Sequence, residues 1–254
     1  MRRVAALYDL HGNLPALRAV LAELARERVD HIVVGGDVAN GPLPAGTLDA
    51  LIALETPVSY VLGNGDVEVA AAYDGEPLAA SVLSESPAAR ASVFAAGRIT
   101  GAHRALLETF QPTVRLEIDG LGPVLFCHGS PRSENEVITA LTPQERLGEI
   151  LAQGPQAPTI VAGHTHRQFE RRAYRWRYVN AGSVGMPYEG RAGAFWALLG
   201  PDVELRETAY DVEAALAEMR AGGFDDLDEL LEESLLSPMD PDLVARLFEQ
   251  GAAA

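Results

Sequence analysis

Residues 4–13 read VAALYDLHGN, in which the apolar run Val4–Tyr8 leads directly into a polar turn. The run has the length of a buried strand, and the turn that follows it carries Asp9 and His11. Residues two apart in an extended segment point the same way, so both side chains can face one site. This stretch therefore predicts a buried strand with polar side chains at its carboxyl end.

Four further apolar runs end in the same manner, each in a turn that contains glycine and a polar side chain. They are Ile32–Val34 before Asp37, Val58–Leu62 before Asn64 and Asp66, Val124–Cys127 before His128, and Thr159–Ala162 before His164 and His166. The intervening segments Leu14–Arg28 and Thr47–Leu54 have helical spacing. Continuous apolar strands that alternate with helices predict parallel sheets covered on both faces. Active sites of such sheets lie beyond the carboxyl ends of the strands, where these polar residues are found.

The remaining segments complete an α/β fold with mixed sheets. Residues 66–110 are alanine-rich and mostly helical, and we expect a helical insertion at about 67–110. Antiparallel pairs are predicted for Phe169–Ala173 with Trp176–Asn180 and for Ala194–Leu199 with Val203–Thr208. We expect one domain over residues 1–210, with acidic C-terminal helices over residues 211–254 packed on it.

The residue composition excludes several functional classes. The 254-residue chain has one cysteine, Cys127, and no lysine. The absence of lysine excludes a Walker-A phosphate loop and a pyridoxal Schiff base. A single cysteine excludes intrachain disulfides, thiolate zinc fingers and iron–sulfur clusters. No apolar run reaches the length of a signal peptide or a membrane span, so we expect a cytoplasmic protein without a membrane partner.

The net charge of −16 is concentrated near the C-terminus. From Asp202 onward there are fifteen acidic residues and three arginines, a net charge of −12, and the rest of the chain carries −4. An acidic protein binds nucleic acid poorly, which disfavours duplex DNA as a partner but not a nucleotide. Apolar residues at helical spacing in this acidic segment would dock either on the body or on a second subunit, so a homo-oligomer remains open.

The polar residues at the strand ends form a donor set of oxygen and nitrogen atoms without a thiolate. The candidate ligands are Asp9, His11, Asp37, Asn64, His128, His164 and His166. Such donors suit Mn²⁺, Fe, Zn²⁺ or Ni²⁺ better than Ca²⁺ or Cu(I). Seven ligands are too many for one ion that keeps an open position, and they suit two ions that share a carboxylate. We therefore expect two divalent transition-metal ions, with Mn²⁺ favoured.

The order of these motifs, D-x-H, G-D, G-N-x-D, H-G and G-H-x-H, resembles that of the calcineurin-like metallophosphoesterase superfamily. Residues 9–13 (DLHGN), 128–132 (HGSPR) and 180–185 (NAGSVG) are similar to its bacterial single-domain branch. The resemblance spans residues 9 to about 200. A lone D-x-H carries little information, whereas five motifs in this order are specific.

The resemblance implies a four-layer sandwich of two mixed β-sheets flanked by helices. It implies hydrolysis of a phosphate ester by a water that two metal ions activate. It also implies roles for single residues: Asp9, His11 and His166 would hold one ion, Asn64, His128 and His164 the other, Asp37 would bridge them, and Asp66 would orient a ligand or water as part of the catalytic machinery.

Two positions depart from the family pattern. Many members carry a histidine between the asparagine and the acid of the third motif, where it protonates the leaving group or stabilises the transition state. Gly65 occupies that position here, as some single-domain bacterial members also lack the histidine. Tyr188 stands where a basic residue is expected after the glycine-rich stretch 182–185.

Two residues near the motifs are candidates for substrate binding. Asn13 is either the N-cap of the first helix or a substrate contact, and it can be both. Arg132 has the planar guanidinium that suits a phosphate, but it can equally pair with Glu134 or Glu136.

The two histidines outside the motifs have simpler interpretations. His31 begins a strand at the edge opposite the site and is expected to be structural. His103 lies on a helix of the insertion, where it either packs or reaches the substrate. Cys127 is expected to be a small core residue.

The sequence thus predicts an enzyme that hydrolyses a small phosphomonoester or phosphodiester. An alternative is a protein-binding scaffold that kept the fold, which the complete donor set disfavours. A nuclease acting on long chains is a third interpretation, and the acidic charge balance disfavours it.

Overall fold

Ten strands form two five-stranded sheets in the computed structural model, which describes residues 1–76 and 86–252. The strands are β1 Val4–Leu7, β2 His31–Val34, β3 Val58–Tyr60, β4 Thr113–Ile118, β5 Gly122–Cys127, β6 Thr159–Ala162, β7 Gln168–Ala173, β8 Trp176–Ala181, β9 Ala194–Leu199 and β10 Val203–Thr208. The first sheet has the order β10-β9-β1-β2-β3, and the second has the order β4-β5-β6-β8-β7.

Each sheet combines parallel and antiparallel strands. In the first, β1, β2 and β3 are parallel, while β9 and β10 are antiparallel to their neighbours. In the second, β5, β6 and β8 are parallel, and β4 and β7 pair in antiparallel fashion. Of the parallel strands, β1, β2 and β6 are entirely buried, as their continuous apolar sequences predict, whereas the edge strand β3 is half-buried.

Helices cover the outer faces of both sheets. They are α1 Leu14–Glu27, α2 Pro44–Ile52, α3 Asn64–Tyr73, α4 Pro87–Ala96, α5 Gly101–Leu107, α6 Gln144–Leu151, α7 Val212–Ala221, α8 Leu227–Leu231, which continues as a π-helical turn over Glu232–Leu236, and α9 Pro241–Gly251. None of the helices in the described part of the chain combines the length and hydropathy needed to cross a bilayer.

Three hydrophobic layers follow from this arrangement. Side chains such as Tyr8, Phe126 and Val161 fill the space between the two sheets. A second layer joins the first sheet to α1 and α2, and a third joins the second sheet to α6. Helix, sheet, sheet and helix therefore form the four-layer sandwich of mixed sheets that the sequence predicts.

The predicted helical segment at about 67–110 contains α4, α5 and most of α3, which begins at Asn64 and ends at Tyr73. Residues 77–85 of this segment lie outside the described residues. The division into a domain over residues 1–210 and a C-terminal segment over 211–254 stays a prediction.

The helices after residue 210 pack their apolar side chains on the rest of the molecule. Leu227, Leu231 and Met219 are buried with Ala91 of α4 and Met186 of the loop after β8. Leu243 and Leu247 of α9 are exposed by 42% and 49%. The interface with the body is therefore made mainly by α7 and α8.

Leu231→Ala should lower the free energy of unfolding by about 2–4 kcal/mol, because it leaves a cavity in this interface. Leu243→Ala, the matched control on α9, should change it by less than about 0.5 kcal/mol. Urea unfolding followed by circular dichroism measures both. Equal stability of the two variants would mean that the C-terminal helices contribute little to the fold.

Candidate metal centre

The carboxyl ends of β1, β2, β3, β5 and β6 meet at one edge of the sandwich, and the loops that follow bring together all seven predicted ligands. Ligand atoms of Asp9, His11 and His166 lie within 4.8 Å of one another. So do those of Asp9, Asp37 and His128. The side chains of these five residues are buried.

The backbone at the site is strained. In the described part of the chain, seven residues other than glycine have a positive φ, and five of them are predicted ligands: Asp9, His11, Asp37, His164 and His166. This conformation costs about 1–3 kcal/mol for each such residue, and it persists only where the surroundings enforce it. Sharp turns of this kind let two ligands two residues apart project from one strand end.

The first group of donors is compact. Nε2 of His11 lies 3.0 Å from Nε2 of His166, and Nε2 of His166 lies 3.4 Å from Oδ1 of Asp9. The other carboxylate oxygen of Asp9 accepts a hydrogen bond of 2.9 Å from the backbone N–H of His164. A Cβ at Gly163 would overlap that oxygen, which explains the glycine before His164.

The second group lies on the other side of Asp37. Nε2 of His128 is 3.2 Å from Oδ1 of Asn64 and 3.6 Å from Oδ1 of Asp37. The ring of His164 stands edge-on to the ring of His128, with 5.1 Å between their centroids. Asp37 turns its other oxygen, Oδ2, toward Nε2 of His11 at 3.8 Å, so this carboxylate reaches both groups.

Backbone carbonyl groups fix the tautomers of three histidines. Nδ1 of His166 lies 2.7 Å from the carbonyl oxygen of Met186, and Nδ1 of His128 lies 2.8 Å from that of Gly35. Nδ1 of His11 lies 3.4 Å from a third carbonyl oxygen, that of residue 40. A carbonyl oxygen can only accept, so each Nδ1 carries a proton and each Nε2 faces the site, where it can bind a metal once it holds no proton of its own.

These donors fit divalent cations. Oδ1 of Asp9 is fully buried and has no hydrogen-bond donor among the described residues, although a buried carboxylate oxygen normally has one. The facing Nε2 atoms of His11 and His166 both present lone pairs, which repel one another unless positive charge lies between them. Carboxylate, amide and imidazole donors without sulfur suit transition metals such as Mn²⁺, Fe, Zn²⁺ and Ni²⁺.

The electrostatics of the site also favour cations. Burial lowers the pKa of His11 and of His164 to about 4, so both rings are neutral at pH 7 and able to bind a metal. Burial opposes ionisation of Asp9, but His166 and His128 outweigh it and hold the pKa of this carboxyl well below its ordinary value. Burial likewise opposes protonation of His128, yet Asp37 and Asp9 raise its pKa. A metal ion between the two carboxylates would take the place of that proton.

Asp66 holds the loops that carry the ligands. Its side chain is fully buried and accepts hydrogen bonds from the backbone N–H groups of Asp37, Val38 and Gly63, at 2.9–3.0 Å. Burial first, and then the charge of Asp37, raise the pKa of Asp66 to about 7, while the bonds from Val38 and Gly63 oppose this change. The contacts make Asp66 a positioning residue for the Asp37 loop.

The two predicted substrate contacts lie in different surroundings. Asn13 caps α1 through a bond from Ala16 N–H, and its NH₂ group donates to the carbonyl of Gly185 and to the hydroxyl of Tyr210. The structure shows the cap, and within the described residues both ends of this buried amide are bound; a substrate contact by Asn13 stays a prediction. Arg132 forms a bidentate pair with Glu136, which is one of the two predicted alternatives.

The two remaining histidines pack within the protein. His103 bonds to Asp49 at 2.9 Å and accepts from the backbone N–H of Thr100, so it supports its own helix. His31 bonds to the hydroxyl of Ser59 at 2.9 Å. Cys127 is buried in the layer under α6.

Sequence reasoning assigned no role to Asn180 and Ser183, which position the ligand loops. The amide of Asn180 donates to the carbonyl of Gly163 and to the hydroxyl of Thr165, on either side of His164. The hydroxyl of Ser183 donates to the carbonyl of Asp9 and accepts from the N–H of Met186. The only signal was their place in the stretch 180–185, which resembles the family pattern.

Tyr188 explains the second departure from the family pattern. Its ring stacks on the ring of His166, with centroids 5.2 Å apart and an interplanar angle of 16°. Burial raises the pKa of its hydroxyl to about 12. The aromatic ring supports the candidate ligand His166 by packing, whereas an arginine or lysine at this position would act through its charge.

Beside Tyr188 opens a cavity of about 770 Å³. The loop after β5 contributes Arg132 and Glu136, and the C-terminal helices contribute Glu233, Leu247 and Phe248. The cavity is therefore amphipathic, and Tyr188 separates it from the candidate ligand His166.

A family model of the calcineurin-like phosphoesterase superfamily domain matches residues 2–199. This range is most of the chain, so the chain belongs to that superfamily. The structure resembles a metallophosphoesterase from Sphaerobacter thermophilus, with a TM-score of 0.69 and 27% identity over 91% of this chain and 98% of that one.

Two structures with lower sequence identity share the fold. A hypothetical protein from Pyrococcus horikoshii OT3 matches with a TM-score of 0.76 and 19% identity, over 92% of this chain and 97% of its own. YfcE, a phosphoesterase from E. coli, matches with a TM-score of 0.51 and 19% identity, over 82% of this chain and 100% of its own. Comparison with curated proteins found no match.

Asp66→Asn should lower the free energy of unfolding by about 2–4 kcal/mol, because an amide NH₂ would face backbone N–H groups that now donate to a carboxylate. It should also weaken Mn²⁺ binding about 10- to 100-fold, since the Asp37 loop loses its support. Asp211→Asn is the control, because asparagine and aspartate cap a helix such as α7 equally well. Urea unfolding and calorimetric titration test both, and wild-type metal affinity in Asp66→Asn would exclude the positioning role.

Proposed function

We propose that this chain is a phosphoesterase that uses two divalent transition-metal ions to hydrolyse a small phosphomonoester or phosphodiester. The observation that carries the proposal is the group of buried ligand atoms at the strand ends. In the described part of the chain, Oδ1 of Asp9 has no hydrogen-bond donor, and the Nε2 atoms of His11 and His166 face one another at 3.0 Å. Membership of the superfamily gives this donor set its chemical context.

Two binding positions are proposed, as the family resemblance implies. Asp9, His11 and His166 would form the first, and Asn64, His128 and His164 would form the second. Asp37 is proposed as the shared ligand because its two oxygens face His11 and His128 separately. Asp9 is the competing candidate, since its Oδ1 also lies 3.7 Å from Nε2 of His128.

When bound, the cations would supply Lewis-acid activation of water and would neutralise charge on the phosphoryl oxygens. The protein's own contribution is to hold the donors in place before any substrate arrives. Carbonyl groups orient the imidazoles, and Asp66 fixes the backbone of Asp37. Such preorganisation removes the cost of arranging charges during the reaction.

The size of the adjacent cavity supports a small-molecule substrate. A volume of about 770 Å³ matches the range in which proteins bind small ligands. The cavity combines apolar surface from Leu247 and Phe248 with the charged side chains of Arg132 and Glu233. We assign it to the organic group of the ester, with Arg132 as the candidate phosphate or ribose contact.

A protein-binding scaffold on the same fold is the alternative. A scaffold would have no use for five ligand residues held in left-handed backbone, since each costs stability without a cation in return. The donor set is complete, so the enzymatic proposal accounts for more of what is observed at the strand ends.

Protein purified without a chelator and supplied with Mn²⁺ should contain about two metal equivalents for each chain. Asp37→Asn should lose both, because it removes the carboxylate proposed to neutralise two cations. Asp9→Asn should lose mainly one, and exposed Asp119→Asn should retain two. Elemental analysis measures the content. Loss of both ions in Asp9→Asn but of only one in Asp37→Asn would make Asp9 the shared ligand.

The Mn²⁺-loaded protein should hydrolyse members of a panel of phosphomonoesters and phosphodiesters. Leu247→Trp would fill part of the cavity, so KM for bulky aryl and nucleotidyl esters should rise about 10-fold or more while methyl esters change little. Leu243→Trp, on the same helix but away from the cavity, is the control. No turnover of any ester by fully loaded protein would favour the scaffold. Equal KM values in both variants would remove the cavity from the substrate site.

A further inference from the structure

The space that a side chain at residue 65 would occupy is already filled. Gly65 lies in the first turn of α3, and its backbone N–H donates to Oδ1 of Asp37 at 2.7 Å. Its φ is not positive, so the backbone itself does not require glycine. A Cβ added there would overlap the side-chain amide of Asn40, meeting Nδ2 first and then Cγ. Gly65 is therefore a glycine because Asn40 occupies its side-chain position.

The side-chain oxygen of Asn40 is buried and unpaired. The residue is 2% exposed, and within the described residues its Oδ1 is inaccessible to water and has no hydrogen-bond partner. Asn40 follows the candidate ligand Asp37 by three residues, and its backbone carbonyl faces Nδ1 of His11. Leaving a buried acceptor unpaired costs about 1–3 kcal/mol, and the fold accepts this cost at a side chain that lies between two loops of candidate ligands.

We propose that Asn40 replaces the missing histidine as the group that contacts the leaving oxygen of the substrate, an inference that rests on the proposed phosphoesterase activity. Nδ2 is the donor end of the amide, and it lies where a side chain on residue 65 would begin. A neutral amide donates a hydrogen bond but does not release its proton at neutral pH. Asn40 therefore stabilises the leaving oxygen without acting as a general acid.

The bond changes follow from this role. A bond forms between phosphorus and the oxygen of water, which gives up a proton to solvent, and the ester P–O bond breaks with its electron pair moving to the leaving oxygen. That oxygen departs as an anion held by the Asn40 N–H, and it then takes a proton from solvent. Esters with acidic leaving groups, such as aryl and nucleotidyl esters, should therefore react faster than alkyl esters. Across substituted aryl esters, log kcat should fall steeply as the leaving-group pKa rises.

The test compares this slope in three variants that keep the ligands intact. Asn40→Ala should lower kcat for alkyl esters roughly 10²-fold and 2,4-dinitrophenyl phosphate far less, because only the poor leaving group needs the donor. Asn40→Gly with Gly65→His places an imidazole in the vacated space and should flatten the slope. Asn40→Gly with Gly65→Ala fills the same space without a donor, so it is the matched control and should be as steep as Asn40→Ala. All variants are compared at equal metal content and with kcat limited by chemistry.

A second measurement does not depend on turnover. In ¹⁵N-labelled, Zn²⁺-loaded protein, the side-chain NH₂ signal of Asn40, assigned by its absence from Asn40→Ala, should shift when inorganic phosphate saturates the site. An unchanged signal, or an Asn40→Ala slope equal to that of wild type, would overturn the role of Asn40 while leaving the phosphoesterase proposal intact. A loaded wild type without activity on any ester would instead remove the phosphoesterase proposal, and the phosphate titration would still decide whether Asn40 contacts a phosphoryl oxygen.

Discussion

Buried electron pairs face one another at the carboxyl ends of the strands, and the surrounding fold holds them there. Oδ1 of Asp9 has no hydrogen-bond donor among the residues that the structure describes, and the Nε2 atoms of His11 and His166 lie 3.0 Å apart. Such an arrangement is unfavourable by itself, since burial penalises charge and like dipoles repel. Positive charge placed between the donors converts the same repulsion into binding energy. The fold is therefore best understood as a frame that holds these donors against their mutual repulsion.

Hydrogen bonds between residues that are remote in sequence hold these donors in place. Asp66 ties the Asp37 loop to the start of α3, and Ser183 ties the end of β1 to the loop after β8. Asn180 holds the turn around His164. Each of these side chains is buried and satisfies backbone groups that strained turns would otherwise leave without partners. The helical layers on the two sheets exclude water from these loops. Water would otherwise compete for every one of these hydrogen bonds.

The sequence predicted most of the strands and the polar residues that the structure brings together at their carboxyl ends. The bounds of β6, β9 and β10 agree with the predicted ones, since β6 and β9 are apolar runs followed by glycine and β10 follows β9 after the turn at Gly200-Pro201. The helix predicted at Thr47–Leu54 begins three residues earlier, at Pro44, since proline is well suited to the first position of a helix. The sequence could not show how Asn40 fills the space above Gly65, because that contact depends on the meeting of two loops 25 residues apart. The cavity escaped prediction for the same reason, as its walls come from the loop after β5 and from α9.

Anomalous diffraction from crystals soaked in Mn²⁺ tests whether two cations bind at the strand ends. Two anomalous peaks are expected there. One should lie within bonding distance of Asp9, His11 and His166, and the other within bonding distance of Asn64, His128 and His164. Asp37 should lie within bonding distance of both. A single peak, or peaks elsewhere with the donors in unchanged positions, would contradict the proposed two-cation site.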